Sequence, residues 1–116
     1  MINNSKEFVN ELIKSWNSHD IERIMKHYSD DCELRSTYIK RLLGIESSIL
    51  KGKKQIKDFW KIGLSKVPDL HLELIDIAEC VDTLAIYYNS VNGRKAIEIM
   101  FFNEKGEINK VFVHYN

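Results

Sequence analysis

Apolar and polar positions alternate in two distinct rhythms along this chain. Near the start, Phe8, Val9, Leu12, Ile13 and Trp16 recur at helical spacing on one face. That pattern predicts a helix from about Ser5 to Asn17. Asn4 or Ser5 can cap it, and Asn4 followed by Glu7 resembles a capping box. The stretch "NSHD" breaks the helix. Asp20 can cap a second, shorter one, carried by Ile21, Ile24, Met25 and Tyr28. A third helix is predicted from about Lys53 to Lys66. Ile56, Phe59, Trp60, Gly63 and Val67 fall on one stripe, with the lysines largely opposite. Pro68, the only proline, stops it.

The second rhythm is that of strands. One is expected from near Cys32 through Leu34 to about Tyr38. Asp30 and Asp31 just before it read as turn residues, whose short side chains bond the local backbone. Neighbours in sequence at a turn seldom converge on one substrate atom, so a catalytic pair is the weaker reading. Between Ile39 and Lys51 the pattern blurs. Leu42, Leu43 and Ile45 are too apolar for a free loop, so this segment folds over something, and "SILKG" reads as a short strand. After Pro68 the apolar parity shifts from Leu72 and Leu74 to Ile75 and Ile77, which predicts a bulge or bend. "TLAIYYNSV" is rich in strand formers, and "NGR" after it is a strong hairpin signal. "KAIEIMFFN" returns, "EKGE" turns, and "INKVFVHYN" forms the last strand. The layout is α+β: three N-terminal helices packed against a curved, mostly antiparallel β-sheet.

Composition narrows the class. The length of 116 residues fits one compact domain spanning 1–116. Net charge is zero, which argues against a general nucleic-acid partner. Basic residues crowd Lys40 to Lys66, and acidic ones crowd Asp69 to Asp82. Two solvated faces that attract one another explain this better than a polyanion site, because no Gly-rich phosphate loop or aromatic interleaving accompanies the lysines. Cys32 and Cys80 lie far apart and form no C-x-x-C, which suits a reduced, cytoplasmic setting. "MINNSKEF" shows no secretory signal, and no apolar run is long enough to span a bilayer. No membrane partner is expected. His19, His27, His71 and His114 form no ligand pair at helical spacing, so neither a metal nor another cofactor is expected.

The signposts "WNSHDIERIMKHYSDDCEL", "KGKKQIKDFW", "PDL", the "NGR" hairpin and "FFNEKGEINKV" occur in an order that resembles the nuclear transport factor 2-like superfamily. That group includes the SnoaL-like polyketide cyclases and the ketosteroid isomerases. The resemblance spans almost the whole chain. It implies a cone-shaped fold, a deep pocket between sheet and helices, and a homodimer through the outer face of the sheet. Many functions share this shape, so activity must be argued from the pocket.

The ketosteroid isomerase site is a worked example of carboxyl tuning: a carboxylate base faces an oxyanion hole of a tyrosine and a protonated acid. By resemblance, the base position falls at Ser36, the tyrosine at Leu12 and the second acid at Glu98. Two of the three groups are absent, so the chain is not expected to be such an isomerase. Superfamily epoxide hydrolases use an Asp–Arg–Asp trio, for which Arg35 lies on the wrong face.

Glu98 is the candidate catalytic residue. It shares a strand face with Ala96, Met100 and Phe102, where burial raises a carboxyl pKa toward that of a general acid. Alternatively this face is solvated or dimer-facing, and Glu98 meets water or a lysine. The resemblance turns Tyr87 and Asn89 toward the pocket, together with Trp16, Phe59, Met100 and Tyr115, as candidate ligand contacts. For Trp16 and Phe59, plain core packing is the competing reading. Two functions stay open. One is a pocket for a small hydrophobic molecule, with isomerase, cyclase or hydrolase chemistry at Glu98. The other is a non-catalytic homodimeric binding or accessory module.

Overall fold

The computed structural model describes residues 4–116. Residues 1–3, on which the reading of "MINNSKEF" partly rests, lie outside the described residues.

Helix α1 spans Ser5–Ser18 and opens as expected: the Asn4 side chain accepts the Glu7 N–H at 3.1 Å. It closes at His19, whose left-handed backbone (φ 61°) lets its N–H bond the Trp16 carbonyl. Asp20 accepts from the N–H groups of Glu22 and Arg23 and starts α2, Ile21–Met25. This helix is shorter than its apolar spacing predicts. Tyr28 already belongs to β1, Tyr28–Arg35.

The first strand therefore begins four residues before Cys32 and ends before Tyr38. Asp30 and Asp31 do not form a turn. They stand exposed inside β1, where the pairing register with the last strand shifts between Tyr28 and Glu33. The Ser29 hydroxyl bonds Asp31 at 2.7 Å across that irregularity. The turn itself falls one step earlier, at Lys26 and His27.

A further helix, α3 (Thr37–Leu43), occupies the segment whose pattern blurs. The Ser36 hydroxyl caps it by accepting the Tyr38 N–H, and Gly44 at φ 69° ends it. Strand β2 is Ile49–Lys51, and α4 is Lys53–Lys66 with Ile56, Phe59 and Trp60 buried. Then come β3 (Glu73–Glu79), β4 (Thr83–Asn89), a one-turn 3-10 segment at Val91–Gly93, β5 (Lys95–Phe102) and β6 (Ile108–Tyr115).

The six strands form one sheet in the order β2-β1-β6-β5-β4-β3. Every pairing is antiparallel except β1 with β6. The expected bulge lies between Leu74 and Asp76, where Ile75 is the extra residue. Asn92 and Gly93 both take positive φ (56° and 71°), and Arg94 N–H bonds the Val91 carbonyl. That is the geometry an Asn-Gly hairpin turn requires.

The helices cover the concave face. Val9, Leu12, Ile24, Leu34, Ile56, Leu84, Ile86 and Met100 meet there with almost no exposure. The Asn17 side chain fixes α1 to the chain before β3, accepting the Leu72 N–H at 2.7 Å and donating to its carbonyl at 3.0 Å. His19 Nε2 adds a 2.7 Å bond with the Leu70 carbonyl. The helix end and the sheet edge are thus held at a set distance, and a cavity stays open between them.

Candidate functional site

The cavity has a volume of about 320 Å³ and lies between the sheet's concave face, α3 and α4. That is at the lower end of the range for small-molecule pockets, about 300–1,000 Å³. Its walls are mostly apolar and aromatic: Trp16 from α1, Phe59 and Trp60 from α4, Leu34 from β1, Val113 and Tyr115 from β6. Aromatic rings brace one another here. Trp16 and Trp60 meet edge to face at 4.9 Å, and Trp60 tilts over Tyr28 at 4.8 Å. The Trp16 indole N–H reaches the buried Tyr28 hydroxyl at 3.4 Å.

Glu98 opens into this cavity from β5 and is only 7% exposed. Strand alternation puts it inward with Ala96 and Met100, between the central neighbours β4 and β6. Removal from water disfavours its charged form, and the pKa is pushed up to about 7, the Tyr88 hydroxyl pulling the other way. Burial likewise raises the phenols of Tyr28, Tyr88 and Tyr115, and the Glu98 charge adds to each. These tyrosines therefore stay neutral hydrogen-bond donors around a carboxyl that is about half ionised near neutral pH. Ser36, 6% exposed, contributes another hydroxyl to the lining.

Several expected contacts fall elsewhere. Tyr87 and Asn89 point to the outer face of the sheet, and Asn89 Nδ2 donates to Glu73 there. Their neighbours Tyr88 and Ser90 line the cavity instead. Cross-strand register explains this: Ile86 lies opposite Glu98 and Tyr88 opposite Ala96, and opposed residues share a face. Met100 faces inward, but it is fully packed in the core and lines no part of the cavity. Trp16, Phe59 and Tyr115 do line it. Leu12 is core, 1% exposed. Arg35 is on the far face, bonded to Glu33 at 2.7 Å and stacked 4.7 Å over Phe112.

Tyr38, Arg41 and Arg94 went unsingled by pattern because the first two ride on α3. The cue was present: Ser36 and Gly44 bracket a run of helix formers as cap and stop. Cys32 is buried with its thiol pushed up to about 12, mainly by desolvation, and so is not a nucleophile at neutral pH. Among the described residues, no group of three or more His, Cys, Asp or Glu is placed to hold a metal.

A six-stranded, curved sheet with helices packed over its concave face is the α+β cone of the nuclear transport factor 2-like class. The SnoaL-like domain family model matches residues 9–108, and the chain belongs to that family. A SnoaL-like protein of unknown function from Burkholderia thailandensis is similar over 97% of this chain and 94% of its own, at 37% identity and a TM-score of 0.90. SalBIII, an epoxide hydrolase/cyclase-like enzyme of pyran ring formation in the polyether salinomycin, shares 13% identity (TM-score 0.73; 96% of this chain, 89% of that one). A putative SnoaL-like isomerase from Agrobacterium tumefaciens shares 12% (TM-score 0.74; 96% of each chain). These last two likenesses concern the fold alone. No curated protein matches.

Proposed function

We propose that this SnoaL-like domain binds a small, largely hydrophobic molecule in the cone pocket and moves a proton on it through Glu98. The supporting observation is a carboxyl, 7% exposed, that lines an aromatic cavity and has its pKa raised to about 7. A group poised near the working pH can both accept and return a proton. Neutral Tyr88 and Tyr115 hydroxyls beside it can hold oxygen charge that develops on the ligand. Isomerase, cyclase and hydrolase reactions all draw on this pair of roles, and Ser36 in place of a second carboxylate sets the site apart from the ketosteroid isomerases. Free Cys32 and Cys80 agree with a cytoplasmic setting. Carbon-13 NMR of the Glu98 carboxyl, assigned against Glu98→Gln, tests the role. Titration near pH 7 supports it, and titration in the ordinary carboxylate range sinks it.

A second reading is a non-catalytic homodimeric module. It draws on the apolar outer face of the sheet, where Ile97 is 45% exposed beside Ile99, Phe101 and Phe112. A second copy of the chain is the occupant this face suits. The two readings are compatible, since pocket and outer face lie on opposite sides of one sheet.

A further inference from the structure

The charges around the cavity are arranged by depth. The exposed rim carries Arg41 on α3, Lys66 at the end of α4 and Arg94 after the β4–β5 turn. Among the described lining residues the only carboxyl is Glu98, at the buried end. No Asp or Glu side chain among the described residues pairs with any of the three cations. In a chain of zero net charge, a rim of one sign over an apolar cavity is a local feature.

One of the cations is already held in place. The Arg94 guanidinium donates to the Tyr38 hydroxyl at 3.1 Å and to the Asn116 carbonyl through Nε and Nη2 at 3.1 and 2.6 Å. Those three bonds leave two of its five N–H groups available. It also lies 5.9 Å from the Tyr38 ring centre and 5.8 Å from that of Tyr115. Arg41 sits 5.2 Å from the Tyr38 ring, so one aromatic ring bridges both guanidinium groups. A fixed, planar donor such as Arg94 matches an oxyanion without a large ordering cost.

We propose that the pocket takes an amphiphilic anion, its apolar body seated against Trp16, Phe59 and Trp60 and its single oxyanion group held at the rim by Arg41, Lys66 and Arg94. The inference rests on the ligand-pocket reading above and names the class of molecule. Charge also fixes the orientation. The apolar deep end disfavours the oxyanion, and Glu98 repels it whenever ionised, so the ligand enters apolar end first. The part of the ligand that reaches Glu98 is then an uncharged carbon or ether region, some distance from its anionic group.

Tryptophan fluorescence reads the test directly, because Trp16 and Trp60 are the only tryptophans and both line the cavity. The probes are phenylbutyrate and its neutral amide, phenylbutyramide, which share one shape. The acid is expected to bind about tenfold tighter than the amide. Arg41 and Lys66 are exposed, so the double variant Arg41→Gln, Lys66→Gln keeps the fold. It is expected to lose most of the acid's advantage and leave the amide unchanged. Raising salt to roughly 1 M is expected to act the same way. Equal binding of acid and amide overturns the anion proposal and leaves the pocket reading standing. So does an advantage that survives the double substitution. Saturable binding of neither probe overturns both.

Discussion

Glu98 costs the fold stability in a pH-dependent way. Its native pKa of about 7 lies above the ordinary value of 4.5. A carboxyl that binds its proton more tightly when folded stabilises the native state at low pH, where it is protonated. That advantage fades as pH rises between the two values, and above pH 7 the buried charge is a liability of a few kcal/mol. The Tyr88 hydroxyl from β4 acts against that shift, and Tyr28, Tyr88 and Tyr115 all stay neutral through this window. Glu98→Gln mimics the protonated form. It is expected to match the parent below about pH 4 and to exceed it by about 3 kcal/mol near pH 8, as measured by urea unfolding. Equal pH profiles for the two proteins would contradict the burial argument.

Between elements, the pocket depends on two junctions. The first is Asn17, whose amide pairs with both backbone groups of Leu72 as a strand neighbour would. Asn17→Ala leaves two backbone groups without partners and is expected to cost about 2 kcal/mol. Hydrogen exchange should show the loss at Leu72 first, since its N–H then has no partner while Leu70 keeps its bonds to His19 and Val67. The second junction is α3, whose cap and stop are Ser36 and Gly44. Ser36→Ala removes the cap and is expected to cost about 1 kcal/mol. Gly44→Ala forces a side chain into φ 69° and is expected to cost a similar amount, about 1 kcal/mol, by thermal or urea unfolding. Because α3 carries Tyr38 and Arg41, both variants should also weaken probe binding at the rim more than at the aromatic end.

Across the whole molecule, one sheet has two unlike faces. Its concave side, under the helices, holds the cavity, and its outer side presents Ile97, Ile99, Phe101 and Phe112. Dimerisation through the outer side predicts a light-scattering mass of twice the chain's 13.6 kDa. Ile97→Glu places a charge in that face and is expected to give a folded chain of single mass, checked by circular dichroism. A parent protein of single mass at working concentrations would remove the dimer from the reading.

Local information sufficed for the elements that declare themselves locally. Asn4, Asp20 and Pro68 bound their helices as the sequence implies, and Asn92-Gly93 turns as its backbone freedom requires. The inward placement of Glu98 did not follow from the strand alone, because the Ala96, Glu98, Met100 face and the Ile97, Ile99, Phe101 face are about equally apolar, and only the sheet packed under the helices shows which one is buried. The faces of β4 did not follow. "TLAIYYN" carries large side chains on both sides, so alternation alone assigns neither, and the pairing of Ile86 with Glu98 decided it. Asp30 and Asp31 looked like a turn because a bulge admits the same short polar residues. The rim was also beyond local reading. Tyr38 and Arg41 share α3, but Arg94 lies far along the chain, and only the docking of α3 beside the β4–β5 turn brings it to them. Periodicity and capping are properties of neighbours in sequence, so the chain determined its elements. A pocket is a property of neighbours in space, so its lining and the sign of its rim were decided by the tertiary structure.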